Sequence, residues 1–145
     1  MTTSRPTLNN PAERTAAEQV AAHLAAELQR AGETGDADLY DNSFAADVLW
    51  GTPFGATVIG YDQLNPIHHK LMTAQVAPSS AFEVVTANSP APGVVVTQIR
   101  RRATDPAAFS EMALYVLVQR AGRWWLAAAQ NTPLNPEKSP LAQTS

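Results

Sequence analysis

The stretch from Phe109 to Arg120, FSEMALYVLVQR, carries bulky apolar residues at both parities. In an extended strand Met112, Leu114, Val116 and Val118 fall on one side, and Phe109, Ala113, Tyr115 and Leu117 on the other. A strand with one wet face alternates apolar and polar residues, whereas this one asks for cover on both faces. Any fold for this chain must therefore sandwich the segment between two layers. Its neighbours read as further strands: Ala81–Ala87, Val94–Arg102 and Arg123–Thr132. They are separated by a proline-rich turn at Asn88–Gly93, a connection at Thr104–Ala108 and a tight turn at Ala121-Gly122.

The first half of the chain has a different period. Asn10-Pro11-Ala12-Glu13 reads as a helix start, with Asn10 as cap and Glu13 reaching back to it. Pro11 suits the first helical position, where its missing N–H has no partner to lose. Ala17, Val20, Leu24 and Leu28 recur at helical spacing, and Ala21, Ala25 and Ala31 widen the stripe, which predicts a helix over Pro11–Ala31 ended by Gly32. Asp36 can cap a second, short helix with Leu39, Tyr40 and Phe44 on one face. Val48–Thr52 and Ala56–Ile59 read as a hairpin around Pro53-Phe54-Gly55. After Gly60, the spacing of Leu64, Ile67, His68, Leu71 and Met72 is helical, but Pro66 interrupts it. Either Asp62 caps and Pro66 closes the first turn, which is the preferred arrangement, or Asn65 caps and Pro66 is the first helical residue.

Helices first and a strand meander after them give an α+β fold with the helices gathered on one face of an antiparallel sheet. The helices cover one face of the Phe109–Arg120 strand, and the simplest cover for the other is a second copy. A homodimer packed sheet to sheet is therefore expected. Residues 1–10 are expected to be a loose arm, 11–133 one domain, and 134–145, rich in Pro, Ser, Gln and Thr, a fraying tail. No internal repeat is present.

Composition narrows the partners. A formal net charge of -3 offers no general attraction for nucleic acid or for an anionic membrane. The one basic run, Arg100-Arg101-Arg102, reads as a solvated strand end. With no cysteine there is no disulfide and no thiolate metal site, which fits a reducing cytoplasm. The N-terminal MTTSRPTLNN has no apolar core of a secretory signal, and no apolar run approaches the ~20 residues of a membrane helix. A soluble cytoplasmic protein is expected.

Two segments in chain order, GDADLYDNSFAADVLWGTPFGATVIGYDQLNPIHHKLM and GRWWLAAAQNTP, resemble the SgcJ/EcaC-type branch of SnoaL-like proteins, within the nuclear transport factor 2-like superfamily. The resemblance spans the first helix to Thr132. It rests on Gly35-Asp36-Ala37, Trp50, Thr52–Gly55, Gly60 with Asp62, His68, Trp124 and Gln130-Asn131-Thr132-Pro133; Pro66 and His69 depart from the pattern. It implies a cone-shaped, strongly bent sheet wrapped around helices, an apolar cavity and a dimer. Superfamily members include isomerases, dehydratases, cyclases, epoxide hydrolases and noncatalytic partners, so no single reaction follows. The resemblance implies a polyketide or polyene intermediate as ligand, in secondary-metabolite biosynthesis such as that of enediynes. A cyclase, isomerase or hydrolase in the same cavity is the alternative, and a noncatalytic dimeric interaction module a second one. No Gly-rich dinucleotide fingerprint is present, and no cofactor is expected.

Several residues are candidates for the site. His68 and His69 project about 100° apart on a helix, so they do not chelate one ion, and no metal site is expected. His68 shares the apolar stripe and is expected inside, as a structural imidazole or as a donor and proton shuttle at a cavity floor. Gln130 and Asn131 face opposite ways on a regular strand, and Asn131 is taken as the cavity member. Tyr40, Trp50, Phe54 and Tyr115 read either as core or as the apolar walls of a cavity, and with Met72 they are the wall candidates. Glu83 and Glu111 become general-base candidates only if they point inward. Neither forms a spacing with Arg100 that assembles a hydrolase site.

Overall fold

The computed structural model describes residues 4–74, 80–105 and 108–134. Three helices, α1 (Arg14–Thr34), α2 (Ala37–Tyr40) and α3 (Tyr61–Thr73), accompany six strands. These are β1 (Phe44–Gly51), β2 (Thr57–Ile59), β3 (Ser80–Ala91), β4 (Val94–Ala103), β5 (Ser110–Arg120) and β6 (Arg123–Leu134). They form one sheet in the order β2-β1-β6-β5-β4-β3. The expected tail lies outside the described residues from residue 135 onward, as does part of the Thr104–Ala108 connection.

α1 packs across β3 and β4, α3 leans on β1 and β2, and α2 bridges α1 and α3. The small residues Ala17, Ala21 and Ala25 let α1 approach the sheet closely, while Leu24 and Leu28 reach between its strands. They meet Val95, Ile99, Leu117 and Leu126, each no more than 2% exposed. Register shifts at Phe44/Leu49, Val84/Thr86, Asn88/Ala91 and Val116/Leu117 interrupt the ladders. Such bulges bend strands, and here they let the sheet curve around its helices without closing.

Several sequence expectations need correction. α1 runs past Gly32 to Thr34, and Gly35 ends it in the left-handed conformation (φ 66°), which costs a residue without Cβ little. Asn10 does cap, accepting from the Ala12 amide, but over a 3₁₀ turn (Pro11–Glu13). Its own amide donates to the Ser89 carbonyl, so the cap does not depend on the Glu13 side chain. Phe44 opens β1 instead of extending α2. β3 continues through most of the proline-rich segment to Ala91, because it is an edge strand and Pro90 can sit where no ladder hydrogen bond is required. β6 extends to Leu134, beyond the expected frayed start at Pro133, held by pairing with Ser110. β1 and β6 pair in parallel, so the sheet is antiparallel in every pairing but this one.

α3 begins directly after Gly60 (φ 94°) with no side-chain cap, so neither Asp62 nor Asn65 caps it, and Pro66 lies inside the helix. There Pro66 removes one helical N–H, at the carbonyl of Asp62 in the exposed first turn. Water can satisfy that carbonyl. Asn65 is freed for contacts with α2.

Candidate functional site

α2 ends at Asp41, a carboxylate with no solvent exposure. Its Oδ1 lies 2.6 Å from His68 Nδ1, and its Oδ2 accepts from Asn65 Nδ2 at 3.0 Å. Both partners come from α3, three residues apart and therefore on one face of that helix. A carboxylate can only accept, so Nδ1 donates to it and Nε2 is the nitrogen turned away from the acid. Nε2 has no partner among the described residues. The geometry is that of an imidazole oriented by a buried acid, with its second nitrogen available to a ligand.

The imidazole sits among aromatic rings. The Tyr40 centroid is 5.1 Å away, Trp50 5.3 Å and Phe44 6.2 Å, all edge to face. Trp50 stacks on Phe44 at 5.2 Å and approaches Tyr115 at 6.5 Å. Tyr115 comes from the middle of β5 and is 2% exposed. Burial pushes both phenols, Tyr40 and Tyr115, above the ordinary tyrosine value, and the Glu111 carboxylate adds to the shift in each. Both hydroxyls therefore remain neutral donors across the physiological range. Neither has a hydrogen-bond partner among the described residues.

Asn131 points inward and is 5% exposed, while Gln130 is exposed on the outer face. The Asn131 Nδ2 donates to the Gly51 carbonyl at 2.8 Å, which ties β6 to β1 and leaves Oδ1 as its other polar atom. Glu111 also faces inward, in parity with Ala113 and Tyr115, and its Oε1 is 3.0 Å from the Arg101 guanidinium. That guanidinium donates further to Ser80 Oγ at 2.8 Å and lies 5.0 Å above the Phe109 ring. The basic run is thus not uniformly solvated, since the Arg101 side chain is 13% exposed.

The remaining candidates do not join this group. Phe54 is 81% exposed on the β1–β2 turn and meets the Phe109 edge at 6.0 Å, away from His68. Met72 is half-buried near the end of α3. Glu83 faces outward and pairs with the exposed Arg102. Arg100 lies beside neither inward carboxylate, and its Nε is buried without a partner. His69 is half-exposed, with Nε2 2.7 Å from Asp38. Among the described residues no group of three or more His, Asp or Glu side chains is placed to hold a metal ion. Among the described residues no helix is long and apolar enough to cross a membrane.

The open hollow expected beneath the helices is instead closely lined, because the rings of Phe44, Trp50 and Tyr115 occupy its floor. Two pockets among the described residues lie elsewhere. One of about 200 Å³ sits on the outer sheet face between Leu49, Leu114, Val116 and Ala128. The other, about 340 Å³, is at the hairpin end between Leu8, Pro90, Pro92 and Trp124.

Asp41 was missing from the sequence reading. Its signal was present as a spacing: Asp38 and Asp41 in one short helix answer Asn65, His68 and His69 in another.

No family model matches the sequence, and no curated protein matches it. Solved structures do. A domain of unknown function with a cystatin-like fold from Nostoc punctiforme PCC 73102 superposes with a TM-score of 0.74 at 17% identity, over 90% of this chain and 83% of its own. A ketosteroid isomerase-like protein from Erwinia carotovora atroseptica gives 0.65 at 14% identity, over 88% of this chain and 100% of its own. An NTF2-like protein with a cystatin-like fold from Novosphingobium aromaticivorans gives 0.63 at 14%, over 90% and 88%. With its helices on the inner side of a curved six-stranded sheet, the chain has the cystatin-like, nuclear transport factor 2-like fold.

Proposed function

We propose that the inner side of the sheet binds a small, largely apolar molecule and that His68 meets its polar atom. The observation that carries this reading is the buried Asp41–His68 pair, whose second imidazole nitrogen has no protein partner among the described residues. A histidine held for packing alone has no need of a fully buried acid to set its tautomer. Aromatic walls around one oriented hydrogen-bonding group are the usual make-up of a small-molecule site. Entry requires the Tyr40 and Trp50 rings to part, since they close around the imidazole.

The test is quenching of Trp50 fluorescence by planar polycyclic phenols and enones, with Trp50→Phe as control. His68→Asn should weaken binding by about tenfold, the equivalent of one hydrogen bond in a dry site, and leave the fold intact. Absence of quenching by every compound, or equal affinity in the variant, overturns the proposal.

The same dyad favours a second reading, acid–base catalysis of the cyclase, isomerase or hydrolase kind. Nε2 would accept a proton and return it, while Asp41 holds the ring in place. Exchange of α-protons of a bound enone for deuterium, lost in His68→Asn with binding retained in part, separates catalysis from binding. The quoted segments that resemble SgcJ/EcaC-type proteins support a polyketide or polyene ligand and a place in secondary-metabolite biosynthesis in the cytoplasm. A second copy seated on the outer face, where Leu49 and Leu114 stand 48% and 43% exposed, belongs to the same proposal.

A further inference from the structure

The Arg101–Glu111 pair has no task in that reading, yet it faces the same interior. Both side chains are almost withdrawn from solvent, at 13% and 15% exposure, and both lie in the inward parity of their strands. Each acts electrostatically on Tyr40 and on Tyr115. Tyr40 in turn touches the His68 ring, so it lies between the ion pair and the dyad. Phe82, directly across from Arg101 on β3, adds an aromatic wall 6.4 Å from Tyr40.

A lone arginine here would draw anions. Arg101 is not alone: Glu111, Ser80 and the Phe109 carbonyl already accept from it. An incoming carboxylate must compete with Glu111 for the guanidinium and would stand beside a like charge in a poorly solvated place. An ammonium faces the mirror problem with Arg101. A hydroxyl meets neither penalty, because it accepts from the guanidinium and donates to the Glu111 carboxylate at once. We propose that the Arg101–Glu111 pair makes this site select uncharged, hydroxyl-bearing apolar molecules and reject anionic ones. The inference rests on the inner face being the ligand site, and it adds the charge class of the ligand.

The test uses three naphthyl compounds that differ only in a terminal primary alcohol, carboxylate or ammonium, titrated against Trp50 fluorescence. The alcohol should bind at least about tenfold more tightly than either ion. Glu111→Gln, which keeps the shape but frees the guanidinium, should raise carboxylate affinity relative to the alcohol by about tenfold. Arg101→Gln should do the same for the ammonium. Should the wild-type protein prefer the carboxylate, the selectivity argument fails even if no variant folds. It fails equally if folded Glu111→Gln leaves the ranking unchanged. If none of the three compounds quenches Trp50, the ligand site itself is wrong and this inference falls with it.

Discussion

The two faces of the sheet are built from alternate residues of the same strands, yet they hold their polar groups in opposite ways. On the inner side, Asp41, His68, Thr97 and Asn131 are buried and each has a named partner. On the outer side, Leu49, Leu114 and Ile59 stand 48%, 43% and 60% exposed, beside a shallow apolar groove. Burying a polar group is tolerable only when its hydrogen bonds are met, so the inner face is specified residue by residue. An apolar face in water is specified only by what later covers it. The proposed ligand site therefore draws on the first face and the proposed association on the second.

The largest effect that can break this contrast is Asp41→Ala. It strips the acceptor from two α3 side chains at a site without solvent, and should cost about 3 kcal/mol or more in urea denaturation. A loss under about 0.5 kcal/mol, typical of surface positions, would place Asp41 with the outer residues and remove the distinction.

Alkaline stability comes next. Burial raises the Tyr40 and Tyr115 phenols above 10.0 in the folded chain. A group whose folded value is raised stabilises fully below its unfolded value and loses that contribution as pH climbs toward the folded one. Stability should hold to about pH 10 and then fall steeply. Tyr115→Phe should flatten that decline; an unchanged slope in thermal melts between pH 9 and about 11 would show that the phenol ionises freely.

On the outer face, Leu114→Glu should leave the melting temperature of the isolated chain nearly unchanged, within about 0.5 kcal/mol of stability. Light scattering should find a dimer for the wild-type chain and a monomer for the variant. A monomeric wild type would mean that the exposed leucines need no cover.

How far the sequence foretold this contrast depends on whether a feature is local. The parity of β5 is local, and it showed both faces to be apolar. Glu111 shares parity with Ala113 and Tyr115, so its inward direction could have been read once that parity was assigned to the core. Glu83 differs because its strand contains a bulge, which no periodicity reveals. Asp41 is harder to read for another reason: it lies 27 residues from His68, and its spacing from Asp38 in the short helical segment gains meaning only once the two helices are side by side. Pro66 left two helix starts open. The preferred one, with Pro66 closing the first turn, lies nearer the structure, because the helix tolerates a proline whose unbonded carbonyl is in an exposed turn.

The smallest expected effect sharpens the comparison most, because the molecule contains a control for its own dyad. Asp38 and His69 form the same kind of pair as Asp41 and His68, on the same two helices, with Asn65 bonded to both acids. The pairs differ in the ring nitrogen used, Nε2 in His69 and Nδ1 in His68, and in burial: the exposed pair is 69% and 51% accessible, the buried pair 0% and 10%. The hydrogen bond from His69, aided by that from Asn65, holds the Asp38 carboxyl below its usual 3.8. A lowered folded value stabilises above the unfolded pKa and is lost as pH falls through the folded one, so the contribution of Asp38 is present at pH 7 and disappears only on the acid limb, below about pH 4. Asp38→Asn should make that limb shallower by removing the contribution at pH 7, a loss kept small because the pair is solvent-exposed. Salt at about 0.5 M should erase the difference, since solvent-exposed charges are screened within a few ångströms. If Asp38→Asn instead cost as much as Asp41→Ala, the loss could not come from burial, and the two helices would be latched by both pairs alike.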